Sequence, residues 1–162
     1  MEFSRFMLTY EIPIRLGSFL WIFAVMALCE WVAPRRMLTV SKVLRWVNNF
    51  GIVFLYSVLL RVLLPTAAVG VAVFAQSKGW GLFNDLDLPY APTVLSAILV
   101  LELTIYLQHV AFHAVPVLWR LHRVHHADLD FDVTTGARFH PFEILLSMLL
   151  KFAVIVAIGA PP

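Results

Sequence analysis

All six histidines of the chain fall between positions 109 and 140: His109, His113, His122, His125, His126 and His140. In His109-Val-Ala-Phe-His113 the spacing of four sets both imidazoles on one face of a helix, about 6 Å apart at Cβ and within reach of a single ion. In His122-Arg-Val-His125-His126 the offsets of three and four place all three rings along one stripe of a second helix that begins near Pro116. The connection from Ala114 to Leu121, broken at Pro116, is short enough for the second helix to fold back beside the first. Five imidazoles then converge. A lone histidine in an apolar helix is ordinarily a hydrogen-bonded core residue, but five clustered polar rings in apolar surroundings need a common partner, and a cation supplies it.

Imidazole suits iron, zinc, copper and nickel. A hydrolytic zinc site more often shows HExxH with its embedded base, and no Glu holds that place in either box. Carboxylate-bridged di-iron bundles need paired ExxH motifs, which are absent here. What remains is a histidine-rich, carboxylate-poor centre. Asp128, Asp130 and Asp132 follow the second box, where they either fix ring tautomers through the far nitrogens or form a solvated acidic loop. Arg120, Arg123 and Arg138 are expected at lipid headgroups or paired with those aspartates.

The elements that carry these residues are read from hydropathy. Of the 162 residues, 61% are hydrophobic and only 14% charged, too little polar surface to coat a water-facing exterior. A bilayer core of about 30 Å needs roughly 20 apolar residues in helix, and four segments approach that length: Leu16 to Ala33, Phe50 to Gln76, Tyr90 to Gln108, and Phe142 to Ile158. Each carries an imperfection, namely Glu30, then Arg61 with Pro65, then Glu102, then Lys151. Arg61 and Lys151 are expected to pack inward or to reach the headgroups. Glu102, seven residues before His109, lies near the same helical face.

Between the first two spans stand Arg35, Arg36, Lys42 and Arg45 with no acid, whereas the stretch from Gln76 to Pro89 holds Lys78, Asp85 and Asp87. The positive-inside rule puts the first loop in the cytoplasm, and counting crossings brings the histidines to that side. Met1 to Glu11 mixes charges with aromatics, unlike a cleaved leader, so the first span is read as retained. The net charge of +2 is scattered, which gives no reason to expect nucleic acid. Cys29, the one cysteine, excludes an internal disulfide and a thiolate zinc site. No fixed-period repeat divides the chain. The expected fold is all-α: one membrane unit with about four transmembrane helices, the first three within residues 1–107, a cytoplasmic histidine-bearing helical segment over 108–143 and the fourth span over 142–158.

The run from Tyr106 to Glu143, with His109-Val-Ala-Phe-His113, His122-Arg-Val-His125-His126 and Arg138-Phe-His140-Pro141 in order, resembles the fatty acid hydroxylase and sterol desaturase superfamily over about a quarter of the chain. The resemblance implies a membrane-embedded di-iron oxygenase, with two iron ions and O2 as co-substrate, acting on a fatty acyl lipid or sterol on the cytoplasmic face of a bacterial inner membrane or endoplasmic reticulum. His109, His113, His122, His125 and His126 match the family's ligand boxes. His140 matches the RFHP segment, as a ligand, a partner of one, or the cap of the fourth span. No iron–sulfur pattern or dinucleotide fingerprint is present, so an external electron donor is implied. The family has a further HxxHH box that is not reached before Pro162, and truncation ahead of it is the expectation. A histidine-rich metal-binding or transport protein and an inactive membrane fragment are the other readings. A transporter would set polar groups within several spans near the midplane, whereas here they gather after the third.

Overall fold

The computed structural model describes residues 2–86 and 88–162; Met1 and Asp87, and so the acid counted at position 87, lie outside the described residues. The described residues are helical, with no strand among them. A short α1 (Glu2–Thr9) leads into α2 (Glu11–Val32), which is followed by α3 (Lys42–Leu63), α4 (Ala68–Ser77) and a single turn, α5 (Leu82–Asp85). Then come α6 (Tyr90–Ala114), α7 (Pro116–His126), a 3-10 turn at Thr135–Ala137, and α8 (Pro141–Ile158).

Among the described residues, helices long and apolar enough to cross a membrane number four, starting at Glu11, Lys42, Tyr90 and Pro141. The expected second span differs in two ways. It begins earlier, so that Lys42 and Arg45 belong to its first turns rather than to the preceding loop. It is also interrupted after Leu63, because Pro65 lacks an N–H and disfavours helical backbone at Leu64, which sits at φ −129°, ψ 76°. Pro116 and Pro141 instead occupy the first turns of α7 and α8, where a missing N–H breaks no helical bond.

The interior and exterior are inverted relative to a water-soluble protein. Trp21, Trp31, Phe54 and Val62 are each more than 70% exposed, while the largest fully buried side chains are His122, Asn49, Thr134, Thr135 and Asp130. Such an arrangement suits lipid as solvent, since apolar side chains gain nothing by leaving it and polar ones must be satisfied within the protein. α8 packs against α3, α4 and α6, α7 folds back along α6, and α2 touches α3 through Phe23 against Trp46 and Phe50. The apolar core is built from small residues, Ala72, Ala97 and Ala160 around Ile155, which lets helices approach closely.

The two ends of the bundle are fastened differently. At the end of α8 remote from the histidines, Gly159 (φ 65°) abuts Gly81 (φ 97°); a Cβ on Gly81 would stand 2.1 Å from Gly159 N and 2.4 Å from the Val156 carbonyl. Only glycine allows that backbone approach at positive φ. At the histidine end, Arg45 and Asn49 of α3 are buried and grip the loop that joins α7 to α8. Arg45 donates from Nε and Nη2 to the two oxygens of Asp128, both at 2.8 Å, and also reaches the Asp130 carbonyl and, at 3.2 Å, Thr135 Oγ1. Asn49 Nδ2 donates to Thr134 Oγ1 at 2.8 Å and to Asp128 at 3.2 Å. Asp130 accepts from the backbone N–H groups of Thr39 and Val40 at 2.9 and 3.0 Å.

Candidate metal centre

α6 carries His109 and His113 one turn apart, and their Nε2 atoms lie 3.2 Å from each other. α7, turned back at Val115, brings His122 and His126 to face them, with His122 Nε2 and His126 Nε2 also 3.2 Å apart. One ring nitrogen from each of His109, His113 and His122 falls within 4.8 Å of the others. Ring centroids of His113 stand 4.7 Å from His122 and 4.9 Å from His126. Two nitrogens bound to one ion at about 2.1 Å are held roughly 3.0 to 3.4 Å apart, so both Nε2 pairs have the separation of shared ligands.

His125 lies at the margin of this group. Its ring is 5.0 Å from His126 and 5.6 Å from His122, stacked on Phe139 at 4.6 Å with 2° between planes. Its Nδ1 is buried without a hydrogen-bond partner. His140 caps α8, its Nδ1 accepting from the Phe142 N–H at 3.2 Å. These two are therefore not gathered as closely as His109, His113, His122 and His126.

The partner that orients the cluster is Glu143, in the first turn of α8. Its Oε1 is 2.7 Å from His122 Nδ1, and both side chains are buried. With Nδ1–H donating to the carboxylate, His122 presents an unprotonated Nε2 to the other rings, the arrangement by which carboxylates hold metal-bound histidine. Burial, with His109 and His113 adding to it, pushes His122 down to about 4, and burial likewise lowers His125 and His126. Neutral imidazoles are the form that binds a cation. Converging nitrogens, an orphaned Nδ1 and a buried carboxylate behind one ring together fit a metal held by His109, His113, His122 and His126, with His125 beside them.

Residues 94–162 match the family described as fatty acid hydroxylase. Over this stretch, less than half of the chain, it is similar to that family. Searches of curated proteins and of solved structures returned no match. The matched segment runs from within α6 to residue 162 and so contains every histidine and Glu143, whereas Arg45 and Asn49, which hold its central loop, come from outside it.

Two expectations need correction. No hydrogen bond joins Asp128, Asp130 or Asp132 to a histidine ring among the described residues, nor do they form a solvated loop. Donors from α3 and the loop before it occupy them, Asp132 being 3.0 Å from Arg45 Nη1 and 3.1 Å from Trp46 Nε1. The Arg45 hydrogen bond, supported by Thr135 and Asn49, holds the Asp128 carboxyl well below the usual carboxylate range despite its burial. Arg138 pairs with none of these acids among the described residues, but donates to the Val124 carbonyl and to Asn49 Oδ1 at 3.0 and 3.1 Å. Glu102 is exposed on α6. Sequence reasoning gave Glu143 no role, although a lone acid in the first turn of a span whose one other charge is Lys151 was a signal; Arg45 looked like any loop cation.

Proposed function

We propose that the chain is a membrane-bound, iron-dependent lipid hydroxylase or desaturase, and that His109, His113, His122, His125 and His126 supply ligands to a two-iron centre on the cytoplasmic face. The observation that carries this reading is the convergence of ring nitrogens from His109, His113 and His122 within 4.8 Å at one end of an apolar bundle. Bound iron with O2 supplies the oxidising power to attack an unactivated C–H bond, which no amino-acid side chain provides. The chain's own residues do the rest. α6 and α7 pre-position the imidazoles, Glu143 holds the His122 proton on Nδ1, and Phe112, buried 5.8 Å from the His122 ring, helps to exclude water.

A lipid substrate is supported by a cavity of about 270 Å³ beside the cluster, lined by Ala111, Phe112, Leu118, Leu146 and Leu150, with Gln108 its one polar lining residue. Reducing equivalents come from an external donor in this reading, and the substrate is a fatty acyl lipid or sterol. The gathering of histidines at one end of the bundle, instead of along several spans, favours catalysis over ion transport.

The test is elemental analysis of the protein purified after growth with iron. Iron should co-purify with the wild type and be lost from His113→Ala and His122→Ala. Zinc alone, or no metal in the wild type, would overturn the proposal.

A further inference from the structure

We infer that a second site, between the end of α2 and the loop at Phe131, binds the headgroup of a phospholipid bearing a primary ammonium, that is, a phosphoethanolamine group. The cavity measures about 330 Å³. Its lining includes the cations Arg35, Arg36 and Lys42 together with the apolar side chains of Met26, Leu38 and Phe131. It opens where α2 ends and α3 begins, so these cations sit at the boundary of two apolar helices, the level at which headgroups meet a membrane protein.

The two acids of the lining discriminate among headgroups. Asp132 is already held by Arg45 and Trp46, contacts that offset part of its charge. Glu30 is different: its side chain is 27% exposed, but its Oε2 atom is itself buried with no hydrogen-bond donor, its loose ion pair to Lys42 Nζ being 3.9 Å long, beyond hydrogen-bond range. A buried carboxylate oxygen without a donor is costly, and a primary ammonium would relieve it with a charge-assisted hydrogen bond. A quaternary ammonium has no N–H to give, and a glycerol headgroup has no positive charge. The phosphate of the same headgroup suits Arg35, which has no hydrogen bond or ion pair among the described residues. It also suits Arg36, whose recorded bonds go to the Leu129 carbonyl at 3.0 Å and Asp130 at 3.4 Å, leaving guanidinium donors unused. The site shares no residue with the histidine cluster, so its test stands apart from the metal assignment.

The full chain, delipidated in detergent, is titrated with phosphatidylethanolamine, phosphatidylcholine or phosphatidylglycerol of identical acyl chains, and with soluble O-phosphoethanolamine, reading the thermal unfolding midpoint. Phosphatidylethanolamine should bind roughly tenfold more tightly than the other two lipids. Glu30→Met should erase its advantage over phosphatidylcholine, and Arg35→Ala, a change at an exposed side chain, should weaken both. A shift with soluble O-phosphoethanolamine assigns the recognition to the headgroup alone; a shift with the lipid only adds the apolar wall to it. Equal binding of all three lipids, tighter binding of phosphatidylglycerol, or an advantage surviving in Glu30→Met overturns the inference. If Glu30→Met does not fold, undiminished phosphatidylethanolamine binding by Arg35→Ala overturns it independently.

Discussion

Glu143 turns a carboxylate onto the back of one histidine, and that contact decides which nitrogen of His122 faces the cluster. Removing it frees the imidazole to rotate and to exchange tautomers. Glu143→Ala is therefore expected, on the proposed metal centre, to weaken metal binding by about 10- to 100-fold while the other imidazoles stay in place, measured by chelator competition with cobalt or iron; unchanged affinity would show that the pair serves only packing. The same surroundings give the metal-free protein an acid sensitivity. The folded state keeps His122 neutral down to about 4, whereas the unfolded chain takes up a proton near 6.5, so folding is favoured above 6.5 and loses that support as pH falls from 6.5 through 4. Asp128, held below its ordinary value of 3.8 by Arg45, extends the loss to still lower pH. Unfolding midpoints of the metal-free protein should be level above pH 6.5 and descend below it, with a shallower descent in His122→Asn.

Among the elements, α3 matters more to the histidine region than its place in the sequence suggests. Arg45 and Asp128 are 83 positions apart, both buried, and bound through two oxygens and two nitrogens. Breaking such a pair leaves an uncompensated charge, so Arg45→Met should destabilise the protein by about 3 to 5 kcal/mol, read from unfolding in detergent, and adding Asp128→Leu should recover much of it. A loss in the double variant equal to the sum of the single losses would deny the coupling. This clasp also marks the limit of what local pattern shows. Spacings of three and four placed the rings of α6 and α7 because helix periodicity is a property of neighbouring residues. Nothing local distinguishes Arg45 from Arg35 or Arg36. Its burial depends on a helix start earlier than hydropathy indicated, and on a loop that arrives from the other half of the chain.

For the whole molecule, the four apolar helices and the all-helical fold were legible because lipid imposes length and composition on any segment that crosses it. The break after Leu63 was less so: Pro65 was visible, but apolar residues on both sides let the stretch read as one span. The side on which the polar end faces rests on fewer cations than the sequence suggested, since Arg45 is turned inward and bound to acids, leaving Arg35, Arg36 and Lys42 near the surface.

The contact of Gly81 with Gly159 has a mechanical meaning for the opposite end. With its far tip stopped against bare backbone, α8 serves as a rod of fixed length, 18 residues or about 27 Å, that sets how high its first-turn carboxylate stands. One residue inserted along the rod would lift that group by about 1.5 Å and swing it through roughly 100°. The alignment of an acid and a ring at one extremity is thus gauged from a seam of two missing side chains at the other.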